Sequence, residues 1–100
     1  MRTWISKMKI SASEQVRTWL AGLPPETKHR VRLALRGLAR GSGDIKGLIG
    51  PLAGFNRLRI GGLRIIYRQT RAREIQLEYA NNRDVIYELY RDILASKSPR

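Results

Sequence analysis

The sequence predicts an α+β fold, and three observations carry that reading. Two runs of alternating apolar and basic residues flank Gly61-Gly62, which marks a β-hairpin, because the favoured two-residue turns need positive φ and glycine takes it without steric cost. Upstream, two consecutive segments repeat apolar residues at i, i+3, i+4 and i+7 and are separated by Gly22-Leu23-Pro24-Pro25, which predicts two short helices in a hairpin. Around these, alternating runs near the N-terminus and after the hairpin add strands, and a last amphipathic segment adds a C-terminal helix. The expectation is a small sheet of about four strands covering the apolar stripes of the helical hairpin.

One hundred residues form a single domain over 1–100, burying about 60–70% of the surface its unfolded chain exposes. Twenty Lys and Arg against eight Asp and Glu give a net charge of +12, and 15 of the 20 cations are Arg, whose planar fork grips phosphate bidentately. The partner is therefore anionic: nucleic acid first, an acidic protein second, and a membrane surface well behind, since no segment joins a basic face to a long apolar one. The absence of cysteine excludes disulfides, thiolate chemistry and Cys-based zinc sites, and the single His29 cannot make a metal site alone. No metal and no cofactor are expected. No apolar run approaches the roughly 18 residues of a bilayer span, and the first residues lack a signal-peptide core, so a cytoplasmic protein is expected.

In chain order, residues 3–10 alternate loosely, with Trp4, Met8 and Ile10 on one side and Lys7 and Lys9 on the other, broken by Ile5. A strand is expected there. Ser11 followed by Glu14 reads as a capping box that starts the first helix, whose stripe is Val16, Trp19, Leu20 and Leu23. The second helix begins on a tolerated proline and buries Val31, Ala34, Leu35 and Leu38. Its other side carries Lys28, Arg32, Arg36 and Arg40 at four-residue steps, a ridge read either as solvated surface or as a nucleic-acid contact. Residues 41–54 hold five glycines and a proline and read as a loop, without the spacing of a P-loop, and Leu48, Ile49 and Leu52 are expected to tack it to the core.

In the hairpin, side chains alternate faces, so Arg57 and Arg59 project opposite to Leu58 and Ile60. On the return strand Leu63, Ile65 and Tyr67 form one set and Arg64, Ile66 and Arg68 the other. Four arginines on one face repel each other and imply an anionic counterpart. The next strand, 74–80, is expected to turn Ile75, Leu77 and Tyr79 inward and Glu78 outward, where it can pair with Arg57, Arg59 or Arg64. Asn81 and Asn82 offer caps to the last helix, with Ile86, Leu89, Tyr90 and Ile93 buried and Arg83, Tyr87 and Arg91 on another side, and residues 96–100 are expected to fray.

Taken together, Asp44-x-Lys46-x-Leu48-x-Gly50, Arg57-Leu58-Arg59-Ile60-Gly61, Arg64-Ile65-Ile66-Tyr67 and Asn82-Arg83-Asp84-Val85-Ile86-Tyr87 resemble the RelE/ParE superfamily of bacterial toxin-antitoxin toxins over most of the chain. The resemblance, closest to the RelE-like branch, implies a small twisted antiparallel sheet packed on the helical hairpin, with the C-terminal helix beside its concave face. It implies translation inhibition by cleavage of mRNA in the ribosomal A site, the 2′-OH of the messenger attacking the adjacent phosphate. Carried over by position, the catalytic residues are Arg57, Arg59, Arg64, Arg83 and Tyr87. Arg68, Lys46 and the ridge of Lys28, Arg32, Arg36 and Arg40 are expected, from their charge, to hold RNA.

Arginine suits stabilisation of a phosphorane-like transition state, and Tyr87 suits stacking or proton donation. Arg57 is a poor general base where relatives often present lysine, which makes Lys46 the candidate stand-in, and Asn81-Asn82 stand where relatives carry further basic residues. The alternative reading is a ParE-like, non-catalytic toxin that inhibits DNA gyrase, and a third is a plain basic nucleic-acid binder. Either toxin reading implies an acidic cognate antitoxin and a free chain that is monomeric. Substituting Arg64 by Ala is expected to remove toxicity with folding intact.

Overall fold

The computed structural model describes residues 8–97, so Trp4, Ile5, Lys7 and most of the strand expected over 3–10, together with the last three residues, lie outside the described residues. Its elements are β1 (Lys9–Ala12), α1 (Glu14–Ala21), α2 (Pro25–Ala39), β2 (Asp44–Gly47), β3 (Asn56–Ile60), β4 (Leu63–Arg71), β5 (Glu74–Asn81) and α3 (Ile86–Lys97), with a 3-10 turn at Gly50–Leu52. The helix α3 thus extends two residues into the segment expected to fray.

The strands form one five-stranded sheet in the order β1-β5-β4-β3-β2. It is mixed, not antiparallel as expected: β1 runs parallel to β5, with Ile10 opposite Ile75 and Ala12 opposite Leu77. A parallel pair needs a long crossover, and the helical hairpin and three intervening strands supply it. The fifth strand is β2, in the stretch read as loop; it pairs antiparallel with β3, Asp44 opposite Arg59 and Lys46 opposite Arg57. Four exposed residues, one of them glycine, carry too little alternation to signal a strand. Just before it, Gly43 has φ 131°, and a Cβ there would stand 3.0 Å from Leu58 Cδ1, so only glycine lets the chain enter the edge so close to the core. The β3–β4 turn is the expected Gly61-Gly62, with Gly61 at φ 58°.

Period-two alternation sends Leu58, Leu63, Ile65 and Tyr67 to one sheet face, where they pack with Val16 of α1 and Val31 and Leu38 of α2, the partly buried Trp19, Leu20, Leu23, Ala34 and Leu35 completing the predicted stripes. The opposite face is not bare: Ile66 joins Leu52, Ile86 and Tyr90 in a second buried cluster, with Leu48, Phe55, Tyr79, Tyr87 and Leu94 against it. Ile49, expected to help tack this loop down, is instead fully in solvent. Tyr79 was assigned to the first face and lies on the second. The reason is a register shift in β5: Ile66 opposes Tyr79 while Tyr67 opposes Leu77, leaving Glu78 as the extra residue of a bulge and inverting the alternation beyond it.

Two helix starts differ from the reading of the sequence. Ser11 still belongs to β1, and Ser13 caps α1, its Oγ accepting from Val16 N at 3.2 Å. The register of β1 on β5 continues past the strand: Ser13 Oγ donates to Glu78 O, and the Gln15 amide both donates to Ala80 O (2.8 Å) and accepts from Ala80 N (2.9 Å), imitating a strand peptide. That ladder draws the helix start two residues on. Neither Asn caps α3. Asn81 ends β5, and Asn82 Oδ1 accepts the Trp19 indole N–H at 3.0 Å, while Ile86 N and Tyr87 N donate to the carbonyls of Arg83 and Asp84. Ile86 and Tyr90 of α3 are buried as expected, whereas Leu89, expected on the same side, is exposed.

The two serines separate these readings experimentally. Ser13→Ala is expected to lower unfolding free energy by about 1–2 kcal/mol in urea titration, the usual cost of a lost cap. Ser11→Ala should change it by less than about 0.5 kcal/mol, as for an ordinary surface substitution.

Candidate functional site

The arginine side of the hairpin is built by β2, β3 and β4. Arg59 and Arg64 are cross-strand partners, and Lys46 opposes Arg57, so like charges face each other directly. The protein itself answers this repulsion. Asp44, on the neighbouring edge strand, puts one carboxylate oxygen 3.0 Å from Arg57 Nη2 and the other 3.9 Å from Arg59 Nε. Asp84, before α3, accepts from Arg64 Nε at 2.7 Å, and Glu78 accepts from Arg68 Nε at 2.6 Å. Glu78 is therefore on the arginine face as expected, but its partner is Arg68 and not Arg57, Arg59 or Arg64.

The four guanidinium groups differ in freedom. Arg64 is 10% exposed and spends Nη1 on the carbonyls of Gly61 (2.8 Å) and Leu63 (3.1 Å). Arg57 is 12% exposed, and its buried Nε has no hydrogen-bond partner among the described residues. Arg59 and Arg68 are half exposed, and the Arg68 guanidinium lies 5.7 Å from the centre of the Phe55 ring. At the border of this face, Tyr87 is partly buried against the cluster that contains Ile66, and Arg83 is exposed in the turn ahead of α3.

Among solved structures, the fold matches a chain of the RelBE2 toxin-antitoxin complex from Mycobacterium tuberculosis at 25% identity and TM-score 0.66, over 77% of this chain and 99% of that one. The RelE/ParE-type fold is the fold of this chain. It also matches a YoeB/ParE toxin from Agrobacterium tumefaciens (18% identity, TM-score 0.62, 75% and 98% covered) and a chain of the RelB-RelE antitoxin-toxin complex from Methanococcus jannaschii (19%, 0.62, 79% and 96%). No family model matches the chain, and no curated protein matches it by sequence.

Within this RelE/ParE-type fold, the eleven residues singled out in the sequence fall into two groups. Lys46, Arg57, Arg59, Arg64 and Arg68 share one sheet face, with Arg83 and Tyr87 at its border. Lys28, Arg32 and Arg36 lie on α2, which packs against the other face, and Arg40 caps its C-terminus; Lys28 Nζ donates to Ala21 O, and the three arginines rim a groove of about 400 Å³ lined also by Met8, Ile10 and Leu35. Residues the sequence reading missed are Asp44 and Asp84, whose roles depend on β2 and on the late start of α3, and the aromatic group of Phe55 and Tyr90. Phe55 meets Tyr90 edge-on at 5.4 Å, and Tyr79 stacks on it at 5.8 Å.

Arg64 does more than face a ligand. Replacing it with Ala strands the carbonyls of Gly61 and Leu63, at a cost of about 1–3 kcal/mol, so an Arg64→Ala protein with folding untouched is not expected. Arg59 is the cleaner probe.

The Tyr90 hydroxyl is pushed up to about 12, first by burial, then by the Glu78 charge and hydrogen bond, with Arg68 opposing. Burial also raises Tyr67. Because the folded state holds these protons more tightly than the unfolded chain, stability is intact below the ordinary tyrosine value of about 10 and falls as pH rises from there through about 12. Tyr90→Phe is expected to flatten the decline in melting temperature over that window, with the residual slope left to Tyr67.

Proposed function

We propose that this chain is the toxin of a toxin-antitoxin pair and that it inhibits translation by ribosome-dependent cleavage of mRNA. The observation that carries the reading is the arginine face itself: Arg57, Arg59, Arg64 and Arg68 with Lys46 on one sheet face, bordered by Arg83 and Tyr87. Such a face binds a phosphodiester by charge and paired N–H donors and stabilises the charge that builds when the 2′-OH attacks phosphorus. Arg59 offers the most accessible fork, Arg57 and Arg64 the most fixed ones, and Tyr87 a ring for stacking or a phenol for proton donation. Lys46 is the candidate proton acceptor, across the strand pair from Arg57. A site of this kind gains most from a substrate that the ribosome holds in reactive geometry. The α2 ridge of Arg32, Arg36 and Arg40 supplies a second, separate surface for RNA backbone. The remaining partner is a cognate acidic antitoxin, as in the toxin-antitoxin complexes with the same fold, and the free chain is a monomer.

One observation favours the alternative of a non-catalytic, ParE-like inhibitor of DNA gyrase: the three carboxylates beside the arginines, Asp44, Glu78 and Asp84, are each paired with one of them.

Primer extension on a defined mRNA with translating ribosomes separates the two. The wild type is expected to leave discrete cuts at A-site codons only when ribosomes are present. Arg59→Ala should slow cutting by about 10²-fold, the loss of one transition-state donor. Tyr87→Phe keeps the ring and removes the hydroxyl, so a rate close to wild type assigns stacking and a loss of about 10²-fold assigns proton donation. Growth arrest without any cut would turn the assignment to gyrase.

A further inference from the structure

The geometry points to Asp84 as a positioning residue for the cleavage reaction, one that acts through Arg64; this rests on the nuclease reading above. A guanidinium has five N–H groups in one plane. In Arg64 the Nε–H is taken by Asp84 Oδ1 at 2.7 Å and Nη1 by the carbonyls of Gly61 and Leu63 at 2.8 and 3.1 Å. What remains is Nη2, which has no partner among the described residues and is not among their buried unsatisfied atoms. The group is therefore held on both sides, at Nε and at Nη1, and open at Nη2 between them. A phosphate oxygen arriving at Nη2 meets a donor whose orientation is already fixed, which is how a donor contributes to rate without reorganising.

Asp84 is placed to do this and little else for stability. Its side chain is 74% exposed while Arg64 is 10% exposed, so the pair reaches from the sheet to solvent, and ion pairs with an exposed partner contribute little to folding. Its backbone carbonyl accepts Tyr87 N, and the neighbouring Arg83 carbonyl accepts Ile86 N, both at 3.2 Å. The buried Ile86 fixes this turn against Ile66 of β4. One short segment thus sets Asp84 against Arg64, with Arg83 next to it in the chain and Tyr87 packed on the Ile66 cluster. The charge of Asp84 also faces any incoming phosphate, so removing it should not weaken substrate binding.

The test is the ribosome-dependent cleavage assay run to give kcat and KM for Asp84→Ala, Asp84→Asn, Asp84→Glu, Arg64→Lys and the Arg64→Lys/Asp84→Ala double variant, each checked by thermal melting. Asp84→Ala and Asp84→Asn are expected to lose about ten- to a hundredfold in kcat with KM unchanged or lower, the range of an outer-shell orienting partner. Asp84→Glu should recover part of that loss. The double variant should be no slower than Arg64→Lys alone, because a residue that acts through Arg64 has nothing left to orient. Asp84→Ala or Asp84→Asn cutting at the wild-type rate, or a double variant whose loss is the product of the two single losses, overturns the assignment. Failure of the wild type to cut removes the reaction and this role with it, an outcome distinct from either of those.

Discussion

A single buried isoleucine governs how the two sides of this sheet are used. Ile66 lies between Arg64 and Arg68 on β4, points away from the helical hairpin, and is fully covered by Leu52, Ile86 and Tyr90. Without it the cluster that attaches α3 to the arginine face would lose its strand-borne centre, leaving Leu52, Phe55 and Tyr79 to hold Tyr90. With it, the late helix is anchored by apolar contact in the middle of a basic face, and the residues ahead of the helix are carried to Arg64. Full burial of one isoleucine side chain contributes about 1.5–3 kcal/mol, more than the half-exposed ion pairs around it.

The charge arrangement follows from that anchoring. A net charge of +12 on 100 residues works against folding by self-repulsion, and four arginines on adjacent strands concentrate it. The chain answers locally, with one carboxylate from the edge strand, one from the bulge in β5 and one from the turn before α3. None of these acids belongs to β3 or β4. Each comes from an element that must already be docked, so the electrostatics of the face report whether the tertiary structure is complete.

The strongest features of the fold could be read directly from residues: the Gly61-Gly62 turn, both hairpin helices, and the separation of Leu58 and Ile65 from Arg57, Arg59 and Arg64. These signals are local, since alternation and helical spacing need only a few neighbours. What escaped was set by distant partners. Asp44–Gly47 becomes a strand because β3 is there to pair with it, Ser13 replaces Ser11 as cap because β5 holds the residues after β1, and Tyr79 changes face because a bulge at Glu78 shifts the register. Of the site, the basic residues were evident from type and spacing, whereas Asp44 and Asp84 look like ordinary surface acids until β2 and the turn before α3 are in place. The four α2 residues shared the charge signal of the face without sharing its location, because net charge carries no direction.

The parallel pairing of β1 with β5 bears on the order in which the arginine face can be assembled. Side-chain and backbone links at a constant separation of 65 residues join Ser13 to Glu78 and Gln15 to Ala80. An N-terminal fragment that ends before β5 therefore has helices whose first strand lacks its neighbour, and an arginine hairpin without Glu78 or Asp84. Long-range contacts of this kind form late and slowly. The arginine face is therefore completed only once β5 and the turn before α3 have joined the sheet.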